Sequence, residues 1–246
     1  MAYLRLRLEA ERSMRYNLEI VMREAAERVV EICYSANAGA AIGSYDKLPA
    51  KVRAEIDDVV AWLRETIEDY FLTLAVADHE ESRERIVPLV LGRMHGMTFG
   101  ERLADYCDKY RNELLVLAGA GLLLGLGRKE VARSICENLR QPWRNPELAR
   151  GVAAPLSYGR GRTSSMLTAI AGLTTHGIAQ GWMRHWELET EAKGAEGWIV
   201  RRGSSVACGL CDDNCGFHAV EDGTGLPVHL SCCCFAIPIY NNLNTD

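Results

Sequence analysis

Three observations predict a mainly α-helical protein that ends in a small α+β module. Apolar residues recur at three- and four-residue spacing through the first three quarters of the chain. Beyond residue 195 that period disappears and short strand-like runs separate glycines, aspartates and cysteines. Six of the nine cysteines lie in the 27 residues from Cys208 to Cys234. We therefore expect a helical domain over 1–195 and a small Cys/His-rich module over 196–246. At 246 residues, 48% hydrophobic and 25% charged, the composition is that of a globular chain of this size.

The first helix is expected from Leu18, where Val21, Met22, Ala25, Val29, Ile32 and Cys33 form one stripe. "ANAGAAIGSYDKLP" interrupts it, and Pro49 suits the first turn of the next helix. That helix carries Val52, Ile56, Val59, Val60, Leu63, Ile67, Phe71 and Leu74 on one face. The charged run "DHEESRER" reads as a solvated turn, followed by a short helix over Ile86 to Met94. Thr98 and Glu101 have the spacing of a capping box ahead of a helix with Leu103, Tyr106, Cys107, Tyr110, Leu114 and Leu117 inward.

The run "LLVLAGAGLLLGLG" is shorter than the roughly 20 apolar residues of a membrane span, so it reads as buried helix. Its "GAGLLLG" lacks the alternating strands and helices of a dinucleotide site, so its glycines are read as a close approach of helices. Further helices are expected from Arg128 to Arg140 and from Thr163 to Thr190. Strands are expected at Trp198–Val200 and Phe235–Tyr240. No secretion signal opens the chain, since "MAYLRLRLEAERSMRY" mixes charges with apolar residues. Clustered cysteines without such a signal point to metal before disulfides.

Thiolate and imidazole suit tetrahedral zinc, and Cys208-x-x-Cys211 has knuckle spacing. His229, Cys232 and Cys234 offer the second half. Alternation along a strand turns Cys232 and Cys234 to one side and Cys233 to the other. Four of Cys208, Cys211, His229, Cys232 and Cys234 are expected to hold a structural Zn2+, with Cys215 and His218 behind them. The module is thus expected to be zinc-stapled, treble-clef- or knuckle-like, because so short a segment rarely folds unaided. Cys33, Cys107 and Cys136 sit on apolar helix faces and read as core.

Two alternatives stand beside a purely structural metal. Asp212, Asp213, His218 and Asp222 could serve a zinc-containing nuclease. His79 and Glu81 form a deaminase-like triplet, but they lie far from any C-x-x-C. The net charge of −5 argues against a surface that is basic throughout. Yet Arg128, Lys129, Arg133, Arg140, Arg144, Arg150, Arg160 and Arg162 face only three glutamates in the same stretch. That segment is a candidate contact for nucleic acid or an acidic partner, as in a prophage-encoded nucleic-acid-binding module; the alternative is helix-end arginines in salt bridges.

"WIVRRGSSVACGLCDDNCGFH" followed by "LPVHLSCCCFAIPIY" resembles the C-terminal region of tailed-phage minor head proteins, the head-morphogenesis (Mu F-like) family. The shared order is a strand, C-x-x-C, a glycine loop at Gly216, Pro227 with His229, and Cys232-x-Cys234 running into a last strand with Pro238. The preceding helix, "GLTTHGIAQGWMRHW", lacks the Arg and Glu the family carries at its start, and Cys233 stands where the family often has Arg. The resemblance covers roughly residues 160–240. It implies a virion protein without enzymatic activity, bound near the portal inside the capsid, made in the host cytoplasm and aiding head assembly or genome packaging and delivery. Its implied partners are the portal or major capsid protein and phage DNA, with no membrane and no small-molecule substrate.

Overall fold

A computed structural model describes residues 2–36, 44–76, 80–94, 96–140, 166–203, 208–228, 232 and 234–240. Among them the chain is mostly helical, with a small antiparallel sheet near the C-terminus, as the sequence predicts. The helices are α1 (Ala2–Ser35), α2 (Ala50–Val76), α3 (Glu80–Val90), α4 (Phe99–Leu123), α5 (Arg128–Arg140), α6 (Met166–Ala192) and the short α7 (Gly209–Asp213). Two-residue strands β1 (Arg93–Met94) and β2 (Met97–Thr98) flank a turn at Gly96, whose φ of 85° suits glycine. The sheet holds β3 (Ala195–Arg201), β4 (Gly216–Ala219) and β5 (Phe235–Tyr240) in the order β4-β3-β5.

The chain divides into two compact units, and three of the divisions fall within α1, α2 and α6. One unit comprises Arg15–Tyr70 and Gly96–Ala171. Its core is the predicted stripes: Leu18, Met22, Val29 and Cys33 of α1, Ile56, Leu63 and Ile67 of α2, and Leu103, Cys107 and Leu114 of α4 are all buried. Buried hydroxyls still need partners. Tyr110 donates to the carbonyl of Met22 at 2.7 Å, and Tyr34 to that of Leu126 at 2.9 Å. The Thr98–Glu101 capping box forms, with bonds of 3.2 and 2.7 Å. Leu114 to Gly121 is buried on every side. A Cβ at Gly121 would stand 2.3 Å from Val131 of α5, so this glycine does permit a close helix approach.

The other unit comprises Met1–Met14, Phe71–His95 and Gly172–Asp246. Here α6 packs on the end of α2 through two glycines one turn apart. A Cβ at Gly177 would meet the Phe71 ring at 2.6 Å, and one at Gly181 would meet the Ala75 carbonyl oxygen at 2.4 Å. Trp182 donates its indole N–H to the carbonyl of Leu74 at 2.9 Å, fixing the same contact. The sheet begins at Ala195, and this unit takes in both the sheet and the end of α6 that precedes it.

The structure corrects several boundaries. Helix α1 begins at Ala2 instead of near Leu18, because the charges of its first turns are spaced to pair, as in Arg5–Glu9 and Arg7–Glu11. The run read as a solvated turn is helical from Glu80, since Glu and Arg are good helix formers. That helix ends at Val90, two residues past Pro88, so Met94 lies in β1 and not in a helix. Strand β4 and helix α7 were hidden among the glycines and aspartates. Cys33 and Cys107 are core residues, and the side chain of Cys136 lies outside the described residues.

Two measurements follow. Gly181→Ala should destabilise by about 1–3 kcal/mol, since a backbone carbonyl cannot move aside. Gly172→Ala, on the same helix with nothing within 4 Å, should be neutral or stabilising by up to about 1 kcal/mol in denaturant melts. Burial pushes the Glu113 carboxyl from 4.5 up to about 7. The fold therefore favours its protonated form, and stability falls as pH rises from about 4.5 through 7. Glu113→Gln should raise stability at pH 8, by on the order of 1–3 kcal/mol, with the difference closing at pH 4.5.

Candidate metal centre

The centre is built outward from Trp198. This is the largest fully buried side chain, and its indole N–H donates to Thr190 Oγ1 of α6 at 2.9 Å. Thr190 in turn donates to the helix carbonyls of Trp186 and Glu187. Strand β3 is thereby seated on α6 and flanked by both neighbours. Its register places Val200 opposite Gly216 and Arg201 opposite Phe235. The exit of β3 and the entries of β4 and β5 therefore share one end of the sheet. Cys208 and Cys211 lie between β3 and β4, and Cys232 and Cys234 lie just ahead of β5, so register alone draws both pairs to that end.

The sulfurs of Cys211, Cys232 and Cys234 lie within 4.8 Å of one another, and Cys211 and Cys232 are 4.0 Å apart. Four sulfurs about 2.3 Å from a tetrahedral zinc would be about 3.8 Å apart, so the spacing suits an ion. Cys211 and Cys234 are buried, Cys232 is half-buried, and Met183, Val200 and Leu226 pack around them. This buried cluster can hold a metal ion. Cys208 is the N-cap of α7 and places Cys211 one turn on; its thiol hydrogen-bonds that of Cys211 and packs on the same cluster. Its sulfur is not among the three that lie within 4.8 Å of one another.

Burial pushes the Cys211 thiol well above its ordinary range, reinforced by the thiols of Cys234 and Cys208 and the charge of Cys232. Burial likewise raises Cys234. Burial also acts upward on Cys232, but the backbone groups of Cys234 and Val228 hydrogen-bond its sulfur, and the net shift is downward. Such N–H···S bonds also stabilise a thiolate bound to metal.

The remaining expected residues fall elsewhere. His229 and Cys233 lie outside the described residues. Cys215 is exposed, and His218 faces the carbonyl oxygen of Asn214 at 3.0 Å. Asp212 pairs with Arg202 at 2.8 Å, and together with Asp213, His218 and Asp222 it does not form a ligand group. Among the described residues Cys211, Cys232 and Cys234 form the one set of three or more placed to share an ion. On α5, Arg128, Lys129 and Arg133 are exposed, and Arg128 pairs with Glu31. The side chain of Arg140 and the whole of Arg144, Arg150, Arg160 and Arg162 lie outside the described residues, as does His79.

Sequence reasoning missed the support beneath the loop. Glu187 of α6 is 5% exposed; it accepts from Thr224 N at 2.8 Å and from Thr224 Oγ1, and its other oxygen pairs with Arg184 at 2.9 Å. Gly223 and Gly225, both at φ 65°, bend the chain around Thr224 so that it can reach inward. The string Gly-Thr-Gly was the available signal, whereas "WELETEA" gives no sign that its first glutamate is buried.

No family model matches the chain, and neither a curated protein nor a solved structure matches it. Among the described residues no helix is long and apolar enough to cross a membrane.

Glu187→Gln should destabilise by about 2–4 kcal/mol, because it leaves the Arg184 charge without its counter-ion and weakens both Thr224 bonds. Arg202→Ala removes a largely exposed pair and should cost less than about 1 kcal/mol. Paired denaturant melts would check both.

Proposed function

We propose that this chain is a structural protein of a tailed-phage head, a minor head or head-morphogenesis component whose C-terminal module is stapled by one zinc ion. The observation that carries the reading is the meeting of Cys211 of the C-x-x-C pair with Cys232 and Cys234 of the C-x-C pair in one thiol cluster, beside a three-stranded sheet. That cluster lies within the segment whose residue order resembles the head-morphogenesis family. With Cys208 or His229 as the fourth ligand beside Cys211, Cys232 and Cys234, no coordination position would be left for water, and the ion would contribute folding free energy and no chemistry. Sulfur ligands favour zinc over magnesium or calcium. The partner in this reading is the portal or major capsid protein, in the virion or during assembly in the host cytoplasm, with DNA a further contact through the basic stretch from Arg128 to Arg162.

Protein purified without chelator should carry one zinc per chain by elemental analysis. Cys211→Ser and Cys234→Ser should lose it, and Cys215→Ser should keep it. Co-expression with the portal and major capsid proteins of the same genome should give a complex that survives gel filtration. Failure to bind either, together with metal-dependent cleavage of DNA, would overturn the structural reading in favour of a nuclease.

A further inference from the structure

On the same compact unit as the cysteine cluster, a half-open cleft of about 390 Å3 lies between α3, α6 and the loop that follows β4. Helix α3 contributes Arg85 and Leu89, one turn apart and therefore on one face. Helix α6 contributes Gln180 and Arg184 at the same spacing, with Glu187 beneath them. The loop contributes Glu221 and Asp222, both exposed. The helical side thus offers the donors of Arg85, Gln180 and Arg184 together with the buried Glu187 carboxylate, and the loop side offers two exposed carboxylates.

Arg184 is oriented before any ligand arrives. Its Nη1 is tied to the buried Glu187 carboxylate, and the rest of its planar fork remains available. A guanidinium held in this way recognises an oxoanion with two parallel N–H bonds. Two arginines stand against three carboxylates in the lining, so the cleft as a whole carries a net negative charge. That balance repels a continuous polyanion such as a nucleic-acid backbone. It favours a ligand that presents one carboxylate to the helices and a cation to the loop. The exposed side chain of Leu89, one turn from Arg85 on α3, offers an apolar contact in the same lining.

We infer that this cleft binds an extended peptide segment of a partner protein, in which an acidic, an apolar and a basic side chain follow one another. The carboxylate meets Arg85, Arg184 and the Gln180 amide. The apolar residue covers Leu89, and the basic residue lies against Glu221 and Asp222. The inference does not depend on the partner being a phage head protein, nor on the identity of the metal.

The test uses the full chain and two blocked tripeptides, acetyl-Glu-Leu-Lys-amide and acetyl-Lys-Leu-Glu-amide, followed through the NMR signals of the Gln180 side-chain amide and Arg184 Nε. One of the two should shift these signals saturably. The same peptide with Gln in place of Glu should bind about tenfold more weakly. Arg85→Ala, on the exposed rim, should weaken binding by about five- to tenfold at an unchanged melting temperature. The proposal fails if neither peptide shifts the signals, if the Gln peptide binds equally well, or if Arg85→Ala has no effect. It also fails if inorganic phosphate or a thymidine oligonucleotide moves the same signals at lower concentration than the peptide.

Discussion

An indole N–H cannot be buried without an acceptor, and Trp198 meets that demand through one hydroxyl, that of Thr190. Much of the C-terminal unit follows from this bond. It fixes which face of β3 lies on α6, and a one-residue slip would turn Trp198 outward and bring Ile199 inward. The register of β4 and β5 against β3 then gathers three chain crossings at one end of the sheet. Both cysteine pairs arrive there as a result of topology, and the thiols need no long-range attraction to find each other.

Glu187 complements the tryptophan from the same helix. It lies three residues before Thr190, on a neighbouring part of the helix surface, and holds the β4–β5 connection through Thr224. Trp198 secures the middle of the sheet, and Glu187 secures the loop after β4, whose Thr224 carbonyl also accepts from Asn214. A charged side chain is tolerated at such depth because every partner is in place: one guanidinium, one hydroxyl and one backbone N–H.

The helical majority of the fold was legible because its signal is local and repeated. The stripes of Val52–Phe71 and Leu103–Leu114 each make the same statement several times over. The central strand at Trp198–Val200 and the outer strand Phe235–Tyr240 were legible from their apolar runs. Strand β4 was not, since "GFHA" is short and half-exposed and is defined only by its partner. The cysteines could be picked out by spacing, but which of them converge depends on register, which no local pattern encodes. Glu187, Thr190 and Thr224 are ordinary polar residues in sequence and acquire their roles only through contacts with distant residues.

The pairing of the thiols has a kinetic side. Cys208 with Cys211, and Cys232 with Cys234, are each separated by only a few residues, so either pair can chelate an ion in a chain with no sheet at all. Closing the intervening loop of about 20 residues then carries only a modest entropic cost. Were the cluster to hold an ion, capture by one pair could precede strand pairing, with the other pair docking onto it. The corollary is thermodynamic: an unfolded chain that already holds the ion through two thiols shares in the binding energy. The net gain in stability is then smaller than the affinity of the folded site would suggest.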